Sequence, residues 1–259
     1  MGLKYDFSGK KVLVTGGNRG LGLGIAKAFA AANADLTILG LEDDVENVAQ
    51  DLTGTYGHPV SAIRCDIADL DDVHNAAKQT EALDVLVNNA GLEYITPLSD
   101  PSPDVDAMFR RITEINIIGT FSVTRALLPK IPDGGRIVMT ASIWAKTAVA
   151  EYSAYCASKH AVLGLTRSFA HELAPRDIAV NAVCPGWVKT EASLRSLKHM
   201  AERSGRSEED LLAEITGAQA FGGLMEPDDL APTFLYLASD AAKNITGQAY
   251  TVDRGEIMQ

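Results

Sequence analysis

Short apolar runs of strand length alternate with longer segments of helical spacing along the whole chain. The strand-like runs are 11–15, 34–39, 60–65, 83–87, 136–140, 178–183 and 248–252. Crossovers that join parallel strands of one sheet are right-handed, and they place their helices on the faces of that sheet. The alternation therefore predicts an α/β fold in which a seven-stranded parallel sheet carries helices on both faces, the doubly wound arrangement.

The length and apolar content predict a single domain over residues 1–259. A chain of 259 residues with 46% hydrophobic residues can bury one large core. The segment 187–226 interrupts the alternation and contains a charged, helix-like stretch over 192–216. Because long insertions of this kind often bind ligands, we predict a helical substrate lid. The alternative is a pair of solvated surface helices.

Charge and composition argue against several classes of function. The formal net charge of −11 repels a phosphate backbone, so we expect no nucleic-acid partner. No apolar run approaches the ~20 residues that cross a bilayer, and no secretory signal is visible, which predicts a cytoplasmic protein without membrane association. The histidines and the three cysteines show no ligand spacing, so we expect no metal site.

A glycine-rich turn follows the first predicted strand and precedes an alanine-rich helical pattern. It reads Thr15-Gly16-Gly17-Asn18-Arg19-Gly20-Leu21-Gly22. Glycines let the backbone approach a pyrophosphate, whose charge then lies at the free N–H groups of the helix N-terminus. The turn therefore predicts a dinucleotide site, with a purely structural turn as the alternative.

The spacing of this turn, Thr-Gly-x3-Gly-x-Gly, resembles the short-chain dehydrogenase/reductase family. Further motifs follow in the family's order and at its intervals: Cys65-Asp66-Ile67, Asn88-Asn89-Ala90-Gly91, Asn116, Ser142, Tyr155-x3-Lys159 and Pro185-Gly186. Each follows a predicted strand or lies on the adjoining helix, where open parallel sheets bind ligands. The resemblance implies a Rossmann domain that interconverts a secondary alcohol and a ketone by hydride transfer with a nicotinamide cofactor.

The resemblance also implies which residues contact the cofactor. They are Gly16, Asn18, Arg19, Gly20, Leu21, Gly22, Leu41, Asp66, Ile67, Asn89, Ala90, Gly91, Tyr155, Lys159, Pro185, Gly186, Val188 and Thr190.

The end of the second predicted strand discriminates between NAD and NADP. An acid there binds the ribose 2′-hydroxyl, whereas a base binds the 2′-phosphate. The position at which the family usually carries Asp is Gly40, and no base stands beside it. Three acids follow, Glu42-Asp43-Asp44, and would repel a 2′-phosphate. Arg19 is available to that phosphate, but NAD-dependent relatives also carry a base at its position. We predict NAD, with NADP as the less favoured alternative.

Proton transfer needs a base, and a tyrosine with a pKa near 10 is a poor one at neutral pH. Lys159 follows Tyr155 by four residues and thus lies on the same helix face one turn later. We expect its ammonium, beside the positive charge of an oxidised nicotinamide, to lower the pKa of Tyr155. By resemblance, Ser142 orients the substrate oxygen and Asn116 holds a water in the proton path. The alternative for Asn116 is a polar residue at a helix bend.

By resemblance, the substrate pocket is formed around the catalytic residues and after the neighbouring motifs. Its predicted residues are Glu93, Ser142, Trp144, Tyr152, Tyr155 and Trp187. The NAD-linked 3-hydroxybutyrate dehydrogenases, which the cofactor half resembles, carry at the position of Tyr152 a lysine that holds the substrate carboxylate. We therefore predict a polyol, a sugar-like alcohol or an amino alcohol. The alternatives are that Glu93 faces solvent, or that Arg195, Lys198 or His199 of the lid admits an acid.

Two rival functions and an assembly remain as expectations. The rivals are an NADPH-dependent ketoacyl or hydroxy-acid reductase and a cofactor-binding regulator without turnover. Small residues at helical spacing over 154–168, together with the resemblance, imply a homodimer or homotetramer. Near the C-terminus, Arg254 stands where relatives often carry glycine, which puts the local turn geometry in doubt.

Overall fold

Seven parallel strands form one sheet in the computed structural model, which describes residues 5–258. The strand order is β3-β2-β1-β4-β5-β6-β7, so the chain runs outward from the centre in both directions. All six pairings are parallel, which confirms the predicted doubly wound α/β fold. The strands are β1 Lys11–Thr15, β2 Asp35–Gly40, β3 Val60–Arg64, β4 Val85–Asn88, β5 Arg136–Thr140, β6 Ala179–Pro185 and β7 Ala249–Val252.

Helices cover both faces of this sheet. They are α1 Gly20–Ala31, α2 Val45–Tyr56, α3 Leu70–Gln79, α4 Pro103–Thr113, α5 Thr120–Leu127, α6 Ser153–Leu173, α7 Glu191–Ser204, α8 Glu208–Gly217 and α9 Pro227–Ala238. Successive strand residues point to opposite faces: Val12 and Val14 pack with α1, α2 and α9, whereas Leu13 packs with α3, α5 and α6. The central strands β1, β4, β5 and β6 are buried on both faces, as expected for a parallel sheet, whereas the edge strands β3 and β7 are partly exposed.

Strand ends differ from the predicted ones where pairing, rather than apolar content, sets the limit. The predicted run 83–87 becomes β4 over Val85–Asn88, and the N–H of Leu83 bonds to the carbonyl of Lys130 outside the sheet. The run 178–183 extends to Pro185, because Cys184 and Pro185 pair with β7. These ends matter because the ligand-binding segments begin there.

The segment 187–226 folds into α7 and α8, and one side of this pair is buried. Leu197, Ala201 and Leu211 pack in a cluster with Trp144 and Trp187. The two helices are therefore packed against the carboxyl edge of the sheet instead of being solvated all round. The role of this segment as a substrate lid stays a prediction.

Arg254 adopts a left-handed conformation with φ of 56°. Glycine is favoured at such positions because it carries no Cβ, which explains why relatives often have it there. A hydrogen bond of 3.0 Å from Nη1 of Arg254 to the carbonyl of Gly222 contributes to holding the turn.

Three further findings concern the part of the chain within residues 5–258. No helix there combines the length and apolarity needed to cross a membrane. No group of three or more potential metal-binding side chains occurs in the same range. The three cysteines are buried and unbonded to one another, and burial raises the pKa of Cys65 to about 12, which keeps its thiol protonated. Assembly through α6 stays a prediction.

Candidate active site

A cavity of about 370 Å³ runs along the carboxyl ends of the strands. Its wall is built from the segments that follow β1 to β6, as expected for a parallel sheet. All predicted cofactor residues line it, from the glycine-rich turn to Thr190. Most of the predicted catalytic and substrate residues also line the cavity: Ser142, Tyr155, Lys159, Glu93, Trp144 and Trp187. Asn116 and Tyr152 do not line it.

The backbone of the glycine-rich turn is packed too closely to admit a side chain at position 22. A Cβ on Gly22 would lie 1.9 Å from the carbonyl oxygen of Gly16. Gly16 and Gly20 have φ of 64° and 52°, values that favour glycine. No side chain caps the N-terminus of α1, so its first N–H groups are free beside the cavity. This turn fits a pyrophosphate group.

The turn is tied to the end of β4 through Thr15. Its hydroxyl accepts hydrogen bonds from the N–H groups of Asn89 and Ala90 at 2.9 and 3.0 Å. The side-chain amide of Asn89 donates in return to the carbonyl of Thr15 at 3.1 Å. These bonds fix the glycine-rich turn and the Asn-Asn-Ala-Gly motif as one rigid wall.

The predicted adenine contact, Asp66, lies at the cavity together with Ile67. Its carboxylate pairs with Arg111 at 2.7 Å, a partner that the sequence analysis missed. Burial raises the pKa of Asp66, but hydrogen bonds from Arg111 and from the N–H of Ala68 outweigh it and hold this pKa below its ordinary value. The carboxylate is therefore ionised and fixed in place at neutral pH.

Acids surround Asn18 and Arg19 at the end of β2. Arg19 forms an ion pair of 2.7 Å with Glu42. The amide of Asn18 donates to Glu42 at 3.1 Å and to Asp44 at 2.9 Å. Asp43 instead points away and pairs with Arg64 at 2.7 Å. Two carboxylates are thus bonded to Asn18 at this end of the cavity, and of these Glu42 lines its wall.

Tyr155 and Lys159 lie one turn apart on α6, at the opposite end of the cavity. The Lys159 ammonium is 5.5 Å from the centre of the Tyr155 ring and donates to the carbonyl of Thr140 at 2.8 Å. Ser142 follows β5, and its hydroxyl accepts from the N–H of Trp144 at 3.1 Å. Three of the four predicted catalytic side chains therefore converge on one region of the cavity.

Burial has the largest influence on the pKa values of Tyr155 and Lys159. It raises the pKa of Tyr155 far above its ordinary value, with a contribution from the charge of Glu93, and a hydrogen bond from Ser142 opposes the rise. Burial also lowers the pKa of Lys159 to about 8, against the opposing charge of Glu93. The expected lowering of the Tyr155 pKa is therefore absent without a further positive charge in the cavity.

Asn116 lies behind the site rather than in it. It belongs to a π-helical turn, Glu114–Gly119, between α4 and α5. Its amide donates to the carbonyl of Leu92 and to the hydroxyl of Ser158, both at 2.9 Å, and its oxygen accepts from the N–H of Leu92 at 2.7 Å. Both amide donors of Asn116 are therefore used within the protein, which positions the loop after β4 against α6. The water-holding role of this residue stays a prediction.

Ser158 is a residue that the sequence analysis missed. Its side chain is fully buried, accepts from Asn116 and donates to the carbonyl of Tyr155 at 2.8 Å. It thereby connects the π-helical turn to the turn of α6 that carries both catalytic side chains. Its position directly before Lys159 was the available signal.

Glu93 extends from the loop after β4 toward α7 and is half-buried. Burial raises its pKa, while a hydrogen bond with Ser196 and the charges of Arg195 and Lys159 oppose the rise. Arg195 lines the cavity, donates to the backbone carbonyl of Glu93 at 3.2 Å and lies 5.7 Å from the Tyr94 ring centre. These contacts favour a carboxylate held inside the site over one that faces solvent.

Two tryptophans form the aromatic wall beside the catalytic tyrosine. The Trp144 ring centre is 5.9 Å from that of Tyr155 and 6.0 Å from that of Trp187. Tyr152 lies behind Trp144, at 5.3 Å between centres, and only 1% of it is exposed. Its predicted place in the substrate wall is therefore corrected: Tyr152 supports Trp144 from the core, where its hydroxyl donates to the carbonyl of Ser196.

Comparisons with known proteins agree with this geometry. A family model described as enoyl-(acyl carrier protein) reductase matches residues 16–256. Oxidoreductase UcpA of Salmonella typhimurium is 37% identical over 259 residues, covering 97% of this chain and 95% of that protein. The structure of a short-chain type dehydrogenase/reductase from Mycobacterium marinum aligns with a TM-score of 0.85 at 32% identity, covering 99% and 98% of the two chains. The chain belongs to the short-chain dehydrogenase/reductase family.

Two further members bear on the chemistry of this family. D-beta-hydroxybutyrate dehydrogenase of Cupriavidus necator is 33% identical, covering 97% of this chain and 99% of that protein. L-sorbose reductase of Gluconobacter frateurii, solved with NADPH and L-sorbose, aligns with a TM-score of 0.89 at 26% identity, covering 99% and 100% of the chains. As a member, the chain is an NAD(P)-dependent oxidoreductase of the alcohol dehydrogenase and ketone reductase type.

The glycine-rich turn yields a first test. Gly22→Ala adds a methyl group against the Gly16 carbonyl, so we expect the affinity for NADH to fall by more than about tenfold in a fluorescence titration. Gly54→Ala is the matched control, because Gly54 is exposed on α2 with nothing within 4 Å of its added Cβ. Equal NADH affinity of the two folded variants, checked by circular dichroism, would contradict the role of this turn.

Proposed function

We propose that this protein is an NAD(H)-dependent dehydrogenase that interconverts a secondary alcohol of a polyhydroxy substrate and the corresponding ketone. The observation that carries the proposal is the convergence of Ser142, Tyr155 and Lys159 at one end of a cavity whose other end is a glycine-rich turn. When bound, NAD(H) supplies the hydride acceptor or donor. The turn, the motif 88–91 and the segment 185–190 would hold it.

The protein's own residues handle the proton. Ser142 donates a hydrogen bond to the substrate oxygen and orients it toward the Tyr155 hydroxyl. In the oxidation direction the Tyr155 phenolate accepts the substrate's hydroxyl proton, and in reduction the Tyr155 hydroxyl returns it. Lys159, fixed by the carbonyl of Thr140, stabilises the phenolate with its ammonium. Trp144 and Trp187 keep bulk water away from this end of the cavity.

The acids at the end of β2 support NAD over NADP. Glu42 lines the cavity at the end of β2, and Asn18 bonds both Glu42 and Asp44 there. A 2′-phosphate would bring a dianion next to two carboxylates, whereas a 2′-hydroxyl gains an acceptor. The NADPH in the sorbose reductase and the kinship to a hydroxybutyrate dehydrogenase support the second candidate, an NADPH-dependent ketoacyl or hydroxy-acid reductase.

The charges around Glu93 favour a neutral polyol over an amino alcohol. Arg195 and Lys159 already offset the carboxylate, so an ammonium would gain little net attraction there. A hydroxyl-rich substrate can donate to Glu93, accept from Arg195 and stack on Trp144 or Trp187. Lys198 and His199 are engaged elsewhere: Lys198 lies near Glu202, at 3.9 Å, and His199 packs on Tyr94.

Kinetics on a panel of polyols, sugars, amino alcohols and hydroxy acids with NAD test this function. We expect a polyol or sugar-like alcohol to be the best substrate, and Glu93→Gln to raise its KM by more than about tenfold, since a charged acceptor of its hydroxyls is lost. Glu202→Gln, an exposed change on the outer side of α7, is the control and should leave KM unchanged. A KM for Glu93→Gln within a factor of about two would contradict substrate binding by this carboxylate.

A further inference from the structure

Thr96, in the loop after β4, caps the N-terminus of the helix α6 from a distant part of the chain. The first N–H groups of a helix have no partner within it, and the side chain of the preceding residue usually accepts from them. Tyr152, which precedes α6, forms no such bond, and its ring packs on Trp144. The hydroxyl of Thr96 accepts from the N–H of Ala154 at 3.1 Å instead.

Thr96 binds the start of α6 through its backbone as well. Its hydroxyl lies 3.0 Å from the hydroxyl of Ser153, which in turn donates to the Thr96 carbonyl at 3.2 Å. The N–H of Thr96 donates to the carbonyl of Glu151 at 2.6 Å. Only 2% of Thr96 is exposed, so these bonds are shielded from water. The loop after β4 and the start of α6 are therefore held together.

Glu151 needs this support because its backbone is left-handed, with φ of 69°. That conformation costs least for glycine and is unfavourable for a residue with a longer side chain. The Arg203 guanidinium of α7 donates to both carboxylate oxygens of Glu151, which gives the turn a second support besides Thr96. The turn before α6 is thus fixed by the two segments that carry Glu93 and Arg195.

The position of Tyr155 depends on this turn more than that of Lys159. Tyr155 is the third residue of α6 and lies in its first turn, where a helix frays most easily. Lys159 lies one turn further on and is fixed by its bond to the carbonyl of Thr140. Loss of the cap would therefore move Tyr155 away from the ammonium of Lys159, and the attraction that stabilises the phenolate would weaken.

We propose that Thr96 and Glu151 are positioning residues for proton transfer: they hold the first turn of α6 so that Tyr155 faces the substrate oxygen. The inference rests on the proposed role of Tyr155 and adds two residues that lie outside the cavity wall. Thr96 follows Glu93 by three residues on the same loop. The loop that binds the substrate therefore also places the group that exchanges its proton.

Kinetics on Thr96→Val, with NAD and the polyol that the native protein oxidises fastest, test the inference. Valine has nearly the shape of threonine but lacks the hydroxyl, and no charge changes. We expect kcat at pH 7 to fall by at least about tenfold, while the Kd for NADH stays within about threefold. The midpoint of the pH profile of kcat/KM for oxidation should move up by at least about half a pH unit. Thr96→Ser keeps the hydroxyl and should restore both.

Thr166→Val is the matched control. Thr166 is equally buried on α6, but its hydroxyl donates to the carbonyl of Val162 in the same helix, away from the cavity. We expect its kcat to stay within about twofold of the native value. The inference is overturned, and the proposed function left intact, by an equal loss in Thr166→Val or by a fall in kcat of Thr96→Val without movement of the pH profile. Retained activity of Tyr155→Phe overturns both.

Arg203→Gln tests the contribution of Glu151 and decides the inference if Thr96→Val does not fold. Arg203 is exposed, so the core is unchanged. We expect kcat to fall by about threefold, with the pH profile moved in the same direction, because Glu151 keeps its bond from Thr96. Glu214→Gln, which breaks the 2.6 Å ion pair with Arg206, is the control and should leave both unchanged. Equal results for these two variants overturn the role of Glu151.

Discussion

We expect Tyr155→Phe to lower kcat by about a thousandfold while the Kd for NADH changes by less than about threefold. The reason is that the phenol hydroxyl is the group that exchanges the proton with the substrate, whereas the ring that packs edge-on against Trp144 remains. Burial raises the pKa of the Tyr155 hydroxyl. The neighbouring positive charges must therefore lower this pKa by a large amount before the phenolate can form. Steady-state kinetics and an NADH titration on the same preparation measure both quantities.

Tyr236→Phe is the control for this variant. Tyr236 lies on α9 and packs edge-on against Tyr250, away from the cavity. Removal of its hydroxyl should therefore leave kcat within about twofold. The assignment of Tyr155 as the proton-transfer group is contradicted if Tyr155→Phe retains more than about a tenth of the native kcat.

We expect Lys159→Met to abolish turnover and weaken cofactor binding, and yet to make the fold more stable at pH 7. Burial lowers the pKa of Lys159 from 10.5 to about 8, a difference that corresponds to ~3 kcal/mol of destabilisation. The variant loses the hydrogen bond to the carbonyl of Thr140, at a cost of ~1 kcal/mol. The net gain of ~2 kcal/mol predicts a Tm about 5 °C higher by thermal unfolding.

The pH dependence of the stability gained by Lys159→Met follows from the lowered pKa of Lys159. A lowered pKa means that the folded protein binds fewer protons than the unfolded chain between pH 8 and 10.5, so the native protein gains stability across that window as the pH rises. The penalty is complete below pH 8, and the advantage of Lys159→Met should therefore shrink as the pH approaches 10. A variant that is less stable than the native protein at pH 7 would show that the buried ammonium is not a net cost.

Residues fixed by topology were predictable from the sequence. The turn at Gly16, the motif that contains Asn89 and the pair Tyr155 and Lys159 follow strands or lie one helical turn apart, so short motifs place them at one edge of the sheet. Residues placed by packing between distant segments were not predictable. Ser196 of α7 meets Glu93 only because the segment 187–226 folds back over the loop after β4.

Tyr152 illustrates the same limit. A motif gives its position three residues before Tyr155, but the direction of its side chain depends on how α7 packs against Trp144. The partners of Asn116 illustrate it too, since its side-chain amide donates to the carbonyl of Leu92 and to the hydroxyl of Ser158. Neither partner is close to Asn116 in the sequence.

The aromatic wall gives this protein a built-in optical signal. Trp144 and Trp187 are the two tryptophans of the chain, and both line the cavity. All of the indole emission therefore originates beside the substrate end of the cavity. Reduced nicotinamide absorbs at the wavelengths at which indole emits, so occupancy of the cavity can be followed by energy transfer without any attached dye.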